Sequence, residues 1–418
     1  MSPRSIFRPY ARLFAVPGSL AFSLVGWLAR LPIPMIGLGT VLLVAGETGS
    51  YGLAGALSGA LALSFSVASP QWARLTDRRG QRTILRLQVS AYLVFGLAFA
   101  LAVLGEGPHW LWFVLAALTG ANSPNIGALV RARWAHALDG PARQTAFAYE
   151  AVVDEVVFVV GPPFVTLLAT LISPSTGYLA GLLIGVVGGV WFAGLRRTEP
   201  PVQAVDPAGP SRRAALLSPT VLVVVVVYVA MGTVFGAMDV VVVGFAQEVG
   251  SSAMAGVALA AFAFGSLVAG LVYGLVRLPG SLAARYIGCA VFFGVALQLV
   301  LTVGSLGVLV PVAFVAGLSI APALVSGMSL VEARVPRSAL TEALSWTTTG
   351  LTLGVTAGSA LAGAAVDDWG AQSAFAVPAA AAGLAGLLAL AGAPLLLRAR
   401  SMDNTATPLP ATQAAGQS

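Results

Sequence analysis

There is no lysine in this sequence. A phosphate-binding loop of the GxxxxGK[ST] type therefore cannot be built, and ATP is not expected to be used by this chain. Cys289 is the only cysteine, which excludes an intrachain disulfide and a cysteine-based metal site. His109 and His136 are the only histidines, so a histidine-rich centre is excluded as well. Charge itself is scarce: 9% of the residues, where a soluble protein carries about a quarter. Most of the chain thus has no water-facing surface. All the positive residues are arginines, and the formal net charge is +6. They sit in short loops and form no continuous face, so a nucleic-acid partner is not expected. No G-x-S-x-G stands in a catalytic context, and with so few nucleophiles no enzyme, cofactor or metal is expected.

What is present is apolar sequence. Hydrophobic residues make up 58% of the chain, with a mean hydropathy of +0.90. Runs of about 20 residues recur from end to end, each long enough to cross a bilayer core of roughly 30 Å. They are continuous rather than alternating, which favours helices over barrel strands. Breaks at charged or Pro/Gly-rich stretches give about twelve helices, at 18–46, 51–71, 83–105, 109–130, 144–172, 176–195, 219–247, 252–276, 281–304, 307–331, 340–365 and 371–396. The basic N-terminus precedes a run too long for a signal peptide, so that run is read as a retained first span.

The loops sort by charge. One set carries Arg4, Arg8 and Arg12; the stretch 71–82; Arg131, Arg133 and Arg143; Arg196, Arg197, Arg212 and Arg213; Arg277 and Arg285; Arg334 and Arg337; Arg398 and Arg400. The alternate loops hold Glu47, Glu106, Glu248, Asp367 and Asp368, with no arginine. The positive-inside rule makes the arginine side cytoplasmic, with both termini there. Residues 196–218, rich in Pro and charge, read as a cytoplasmic linker between an N-terminal half, 1–195, and a C-terminal half, 219–396. The polar segment 397–418 reads as a disordered tail.

The two halves resemble each other. Glu47, Gly49 and Ser50 match Glu248, Gly250 and Ser251, an offset of 201 residues. At the same offset Ala54 and Gly55 match Ala255 and Gly256, and "ALVRAR" at 128–133 matches "SLVEAR" at 329–334. A parallel repeat of two six-helix halves is a transporter architecture, with the substrate path between the halves.

One stretch concentrates charge: "QWARLTDRRGQR", residues 71–82. Gly80 suits a tight turn. The aspartate needs a reason, because topology requires only the arginines. Here the sequence resembles the major facilitator superfamily, whose loop between the second and third spans follows G-x-L-x-D-R-x-G-R-R. Leu75, Asp77, Arg78, Gly80 and Arg82 match; Ala73 and Gln81 depart from it. With the span count and the repeat, the resemblance covers nearly the whole chain. It implies an all-α membrane protein of two six-helix halves, and a cytoplasmic latch in which Asp77, Arg78, Gly80 and Arg82 take part. Glu342, near the inner end of the eleventh span, either joins that cluster or simply favours its helix N-terminus. The second half keeps only "YGLVRLPG" at 273–280, without the aspartate, so the latch is expected to be asymmetric.

Ionisable groups inside spans are expensive and therefore functional candidates. Arg30 lies about a dozen residues into the first span, and Asp154 and Glu155 about ten into the fifth, at similar depth. Arg30 is expected to pair with Asp154 or Glu155. Glu150 and Asp154 are four apart and share a helix face. Two nearby carboxylates raise one pKa, which suits a proton carrier; a static ion pair and direct substrate contact are the alternatives. Gly161 and Pro162, followed by Pro163, are expected to kink the fifth helix. They partly match a glycine-proline motif of the family's antiporters, which tilts the reading towards export. Many proton-coupled exporters of the family also carry an arginine within the fourth span. Bounded at residue 130, that span has none before Arg131 at its end, so Arg30 is expected to substitute. Asn122, Ser123 and Asn125 add polar groups there, and Pro124 can break the helix. Asn122, Asn125, Asp239 and Trp346 are candidates for the substrate path.

The leading expectation is a monomeric secondary transporter in the plasma membrane, exporting small amphipathic organic molecules against protons. An importer or uniporter of a sugar, organic acid or other nutrient is the alternative, and a membrane sensor without transport a third. Expected partners are a small-molecule substrate, protons and the lipid bilayer.

Overall fold

The computed structural model describes the backbone of residues 13–202, 218–276, 279–335 and 337–398. Among them there is no strand. Twelve helical segments are long and apolar enough to cross a membrane: Ser19–Thr48, Tyr51–Arg79, Gln81–Leu104, His109–Ala137, Thr145–Leu171, Pro174–Gly194, Pro219–Glu248, Ala253–Gly274, Leu282–Thr302, Leu306–Arg334, Ala343–Trp369 and Ala371–Ala391, here spans 1 to 12. In hydrocarbon a backbone must satisfy its own polar groups, and helices do so within one segment.

Several spans outrun the expected limits at their charged ends. Span 2 continues from residue 71 to Arg79, so Arg74, Asp77, Arg78 and Arg79 ride on helix and only Gly80 makes the turn. Its φ of 85° is the left-handed value that glycine tolerates. Span 4 runs to Ala137 rather than 130, which brings Arg131 and Arg133 inside it. The reason is common to both: hydropathy stops at the first charge, whereas arginine is a good helix former and the helix goes on.

Four spans pass from one α-helix to another within their length, span 12 at Phe375. Span 1 changes helix at Leu31, between Arg30 and Pro32. Span 4 breaks at 122–125, where Pro124 removes a donor and the Asn125 side chain caps the following turn by accepting from Ala128 N at 3.2 Å. Span 10 breaks at Leu318–Ser319. Span 5 belongs to a single helix from Gly140 to Leu171 that passes through Pro162 and Pro163 without interruption.

The repeat appears as geometry. Gly49 and Gly250, equivalent turns between spans 1–2 and 7–8, both adopt positive φ, 70° and 75°. Gly55 and Gly256 occupy equivalent places at the seams between halves. A Cβ on Gly55 of span 2 would strike the Ser359 carbonyl of span 11, and one on Gly256 of span 8 would lie 2.6 Å from Pro163 Cα of span 5. Spans 2 and 11, and 5 and 8, accordingly carry the contact between halves. Residues 203–217 of the expected linker and 399–418 of the expected tail lie outside the described residues. The start of the linker is anchored: Glu199 accepts from Arg82 N at 2.9 Å, capping the first turn of span 3.

Candidate functional site

The break after Arg30 leaves that guanidinium at the end of a helix, facing span 5. Its Nε donates to the Gly26 carbonyl at 3.0 Å, its Nη1 to Asp154 Oδ1 at 2.7 Å and its Nη2 to Glu150 Oε2 at 2.6 Å. Trp134 of span 4 donates its indole N–H to the other Glu150 oxygen at 2.7 Å. Arg131, also of span 4, donates to Asp154 Oδ2 at 2.5 Å. Two arginines and two carboxylates from three spans thus form one neutral cluster. Charge-assisted hydrogen bonds of this kind offset the cost of removing the ions from water.

The cluster shows which acids Arg30 meets. Arg30 meets Asp154, but its second partner is Glu150, not Glu155. Residues four apart stack on one helix face, whereas Glu155 is turned about 100° from Asp154. Glu155 instead lies near Ser266 of span 8, across the seam. Arg131 and Trp134 were missed because the fourth span was bounded at residue 130. The spacing itself carried the signal: Val130 and Trp134 lie on the apolar stripe of a helix that continues, with Arg131 beside it.

Exposure divides the two acids. The side chains of Arg30 and Glu150 are 0% exposed, while those of Asp154 and Arg131 are 30% and 38% exposed. Glu150 is sealed with both oxygens occupied. Asp154 is the acid of the cluster that water reaches, and Arg131 retains unused donors beside it.

The other expected site residues lie apart. Asp77, Arg78 and Arg79 are exposed, and Asp77 has no hydrogen-bond or ion-pair partner among the described residues. Glu342 lies outside the residues whose side chains are described. Asn122 donates to its own helix at Leu118 O, 2.8 Å, and Asn125 reaches Ser69 of span 2 at 3.2 Å, so both serve the break in span 4. Asp239 is half-buried in span 7 with no partner among the described residues, and Trp346 of span 11 is exposed. Gly161 lets Pro34 of span 1 approach: a Cβ there would lie 2.5 Å from Pro34 Cγ. Pro162 stands with Pro163 against Gly256, in the seam of spans 5 and 8. Arg133, read from sequence as a loop charge, is buried. Its guanidinium lies 3.9 Å from the Phe192 ring centroid and binds Gln81, Leu195 O and Thr198.

The hydrogen bonds between halves run from mid-depth to the arginine-free end. Thr356 donates to Gly59 O at 3.1 Å. Asp367 receives Ser50 Oγ at 2.9 Å, Tyr51 N at 2.7 Å and Gly52 N at 2.8 Å, capping span 2 from the opposite half. Tyr51 also donates to Gln247.

The family model described as Major Facilitator Superfamily matches residues 18–245 and 222–412. The chain belongs to the major facilitator superfamily. This is a family of transporters, so a multi-pass membrane protein moving small molecules follows. Two solved structures share the fold. One is described as an auto-inhibited POT family peptide transporter, 15% identical, covering 94% of this chain and 99% of its own, with a TM-score of 0.70. The other is the POT family transporter PepTSo, 13% identical, covering 91% and 98%, with a TM-score of 0.68. At such identity the likeness is one of fold. Comparison with curated proteins finds no match.

Proposed function

We propose that this superfamily member is a proton-coupled exporter of small amphipathic organic molecules, working by alternating access in the plasma membrane as a monomer with both termini cytoplasmic. The observation that carries the reading is Asp154, a half-exposed carboxylate held between Arg30 and Arg131 of two different spans. A proton on Asp154 cancels its charge and loosens Arg131, and with it the tie between spans 4 and 5. Loss of the proton restores the tie. Glu150 keeps Arg30 in place throughout, so the cluster changes state without falling apart. With the arginine side cytoplasmic, the hydrogen bonds that Asp367 accepts hold the halves together at the outer end. Export is favoured by Gly161-Pro162-Pro163, whose prolines form part of the seam against Gly256.

The test is proton movement in everted vesicles, followed by acid-quenched fluorescence over a panel of amphipathic compounds, with wild type and Asp154→Asn in parallel. Substrate-induced proton release is expected from wild type alone. Equal release from both would remove Asp154 from the coupling path, and uptake of substrate with protons would reverse the direction.

A second reading is supported by Arg131. Its unused donors face an accessible acid, and they suit an organic anion entering with a proton on Asp154. A structure described as a peptide transporter shares the fold. Proton-driven accumulation of an organic acid in right-side-out vesicles would favour it.

A further inference from the structure

Away from the charge cluster, a cavity of about 410 Å³ opens between spans 8, 9 and 10 of the second half. Its walls include Tyr273 of span 8, Arg285, Gly288, Cys289 and Phe292 of span 9, and Pro322 of span 10. Among the described residues that line it Arg285 is the one that is charged, and it forms no ion pair among them. Its Nε is buried and has no hydrogen-bond partner among the described residues. A guanidinium donor in that position lacks an acceptor, and native structures rarely leave one so.

The cavity is graded along the helix. Arg285 stands one turn inside span 9, at its arginine-rich end, where long basic side chains reach headgroup depth. Gly288 and Phe292 follow three and seven residues on, on the same face, roughly 5 and 10 Å deeper. Phe292 is 49% exposed, and a Cβ on Gly288 would meet nothing within 4 Å. The groove therefore opens sideways, where the bilayer lies, with a cation at its rim and an apolar floor. Among the described residues no carboxylate lines it to receive a headgroup ammonium.

We propose that this groove binds an anionic phospholipid of the leaflet at the arginine-rich end. Its phosphate accepts from Arg285, and an acyl chain lies along Gly288 and Phe292 towards Pro322. The binding adds an occupant between spans 8 and 10 that is independent of the substrate path.

The experiment is native mass spectrometry of the full chain released from detergent, titrated with phosphatidylglycerol, phosphatidylcholine or inorganic phosphate. Wild type is compared with Arg285→Gln, Arg285→Lys, Gly288→Leu and, as a control, the exposed Arg86→Gln of the first half. The expected result is selective retention of phosphatidylglycerol. Arg285→Gln and Gly288→Leu should weaken it roughly tenfold, the loss of one charge-assisted contact or of the chain's seat. Arg285→Lys and Arg86→Gln should leave it near wild type. Melting temperatures without lipid show that each variant is folded. Unchanged retention in folded Arg285→Gln and Gly288→Leu would overturn the proposal. So would equal retention of phosphatidylcholine, or displacement of the lipid by inorganic phosphate, which would make this a free-anion site.

Discussion

Glu150 and Asp154 share a helix face and an arginine, yet their surroundings differ. Glu150 has both oxygens bonded and no exposure, so replacing it takes away the buried half of Arg30's ion pairing and leaves only the partly exposed Asp154. Removing one partner of a buried pair costs about 3–5 kcal/mol. Glu150→Gln is therefore expected to lower the melting temperature and folded yield in detergent, while Asp154→Asn, in contact with water, lowers them far less. The reverse order, measured by fluorescence-detected size exclusion after heating, would contradict the division of labour. Arg131 adds a second test at this scale. Arg131→Gln should disturb substrate-coupled proton movement while the fold survives, because Arg30 and Glu150 still close the core of the cluster.

At the scale of elements, the two seams are closed by different means. Spans 5 and 8 meet through Pro162, Pro163, Thr166 and Gly256, a contact of shape. Spans 2 and 11 add Asp367, whose carboxylate takes the free N–H groups at the start of span 2 as a capping residue would, although it comes from the other half. Loss of a cap costs about 1 kcal/mol, or roughly fivefold in population. Asp367→Ala should therefore raise the labelling rate of a cysteine placed at Ala360, in a Cys289→Ser background. Gly55→Leu should raise it further, since a side chain there cannot fit against Ser359. Unchanged labelling in both variants would mean that this seam does not gate access.

For the whole molecule, the closed end and the free aspartate belong together. The halves are bonded from mid-depth to the arginine-free end, while Asp77 at the other end is exposed and unpartnered among the described residues. The proposed latch role of Asp77 would belong to the opposite state, closed at the arginine-rich end. Asp77→Asn should thus leave the melting temperature of this arrangement unchanged and reduce the population closed at the arginine-rich end. Spin labels at Arg79 and Thr348, both exposed, would report it as loss of the shorter distance. A shorter distance retained in full by Asp77→Asn would remove the aspartate from gating.

Sequence by itself determined the class. The runs from span 1 to span 12, the arginine bias of alternate loops and the matched Gly49/Gly250 and Gly55/Gly256 pairs follow from local chemistry, because a bilayer tests each segment for length and polarity on its own. Asp77 and Gly80 were legible for the same reason, as a short motif in one loop. Partner choice was not. Arg30 meets Glu150 because span 1 turns at Leu31 towards one face of span 5, and Arg131 joins them because span 4 breaks at Pro124 and resumes as helix past its hydropathic limit. Asp367 reaches Tyr51 across more than three hundred residues of chain only when the halves close. Hydrophobicity selects which segments are buried in the bilayer without specifying which faces meet; steric fit, helix breaks and the need to pair every buried charge decide that, and they exist only in the folded chain.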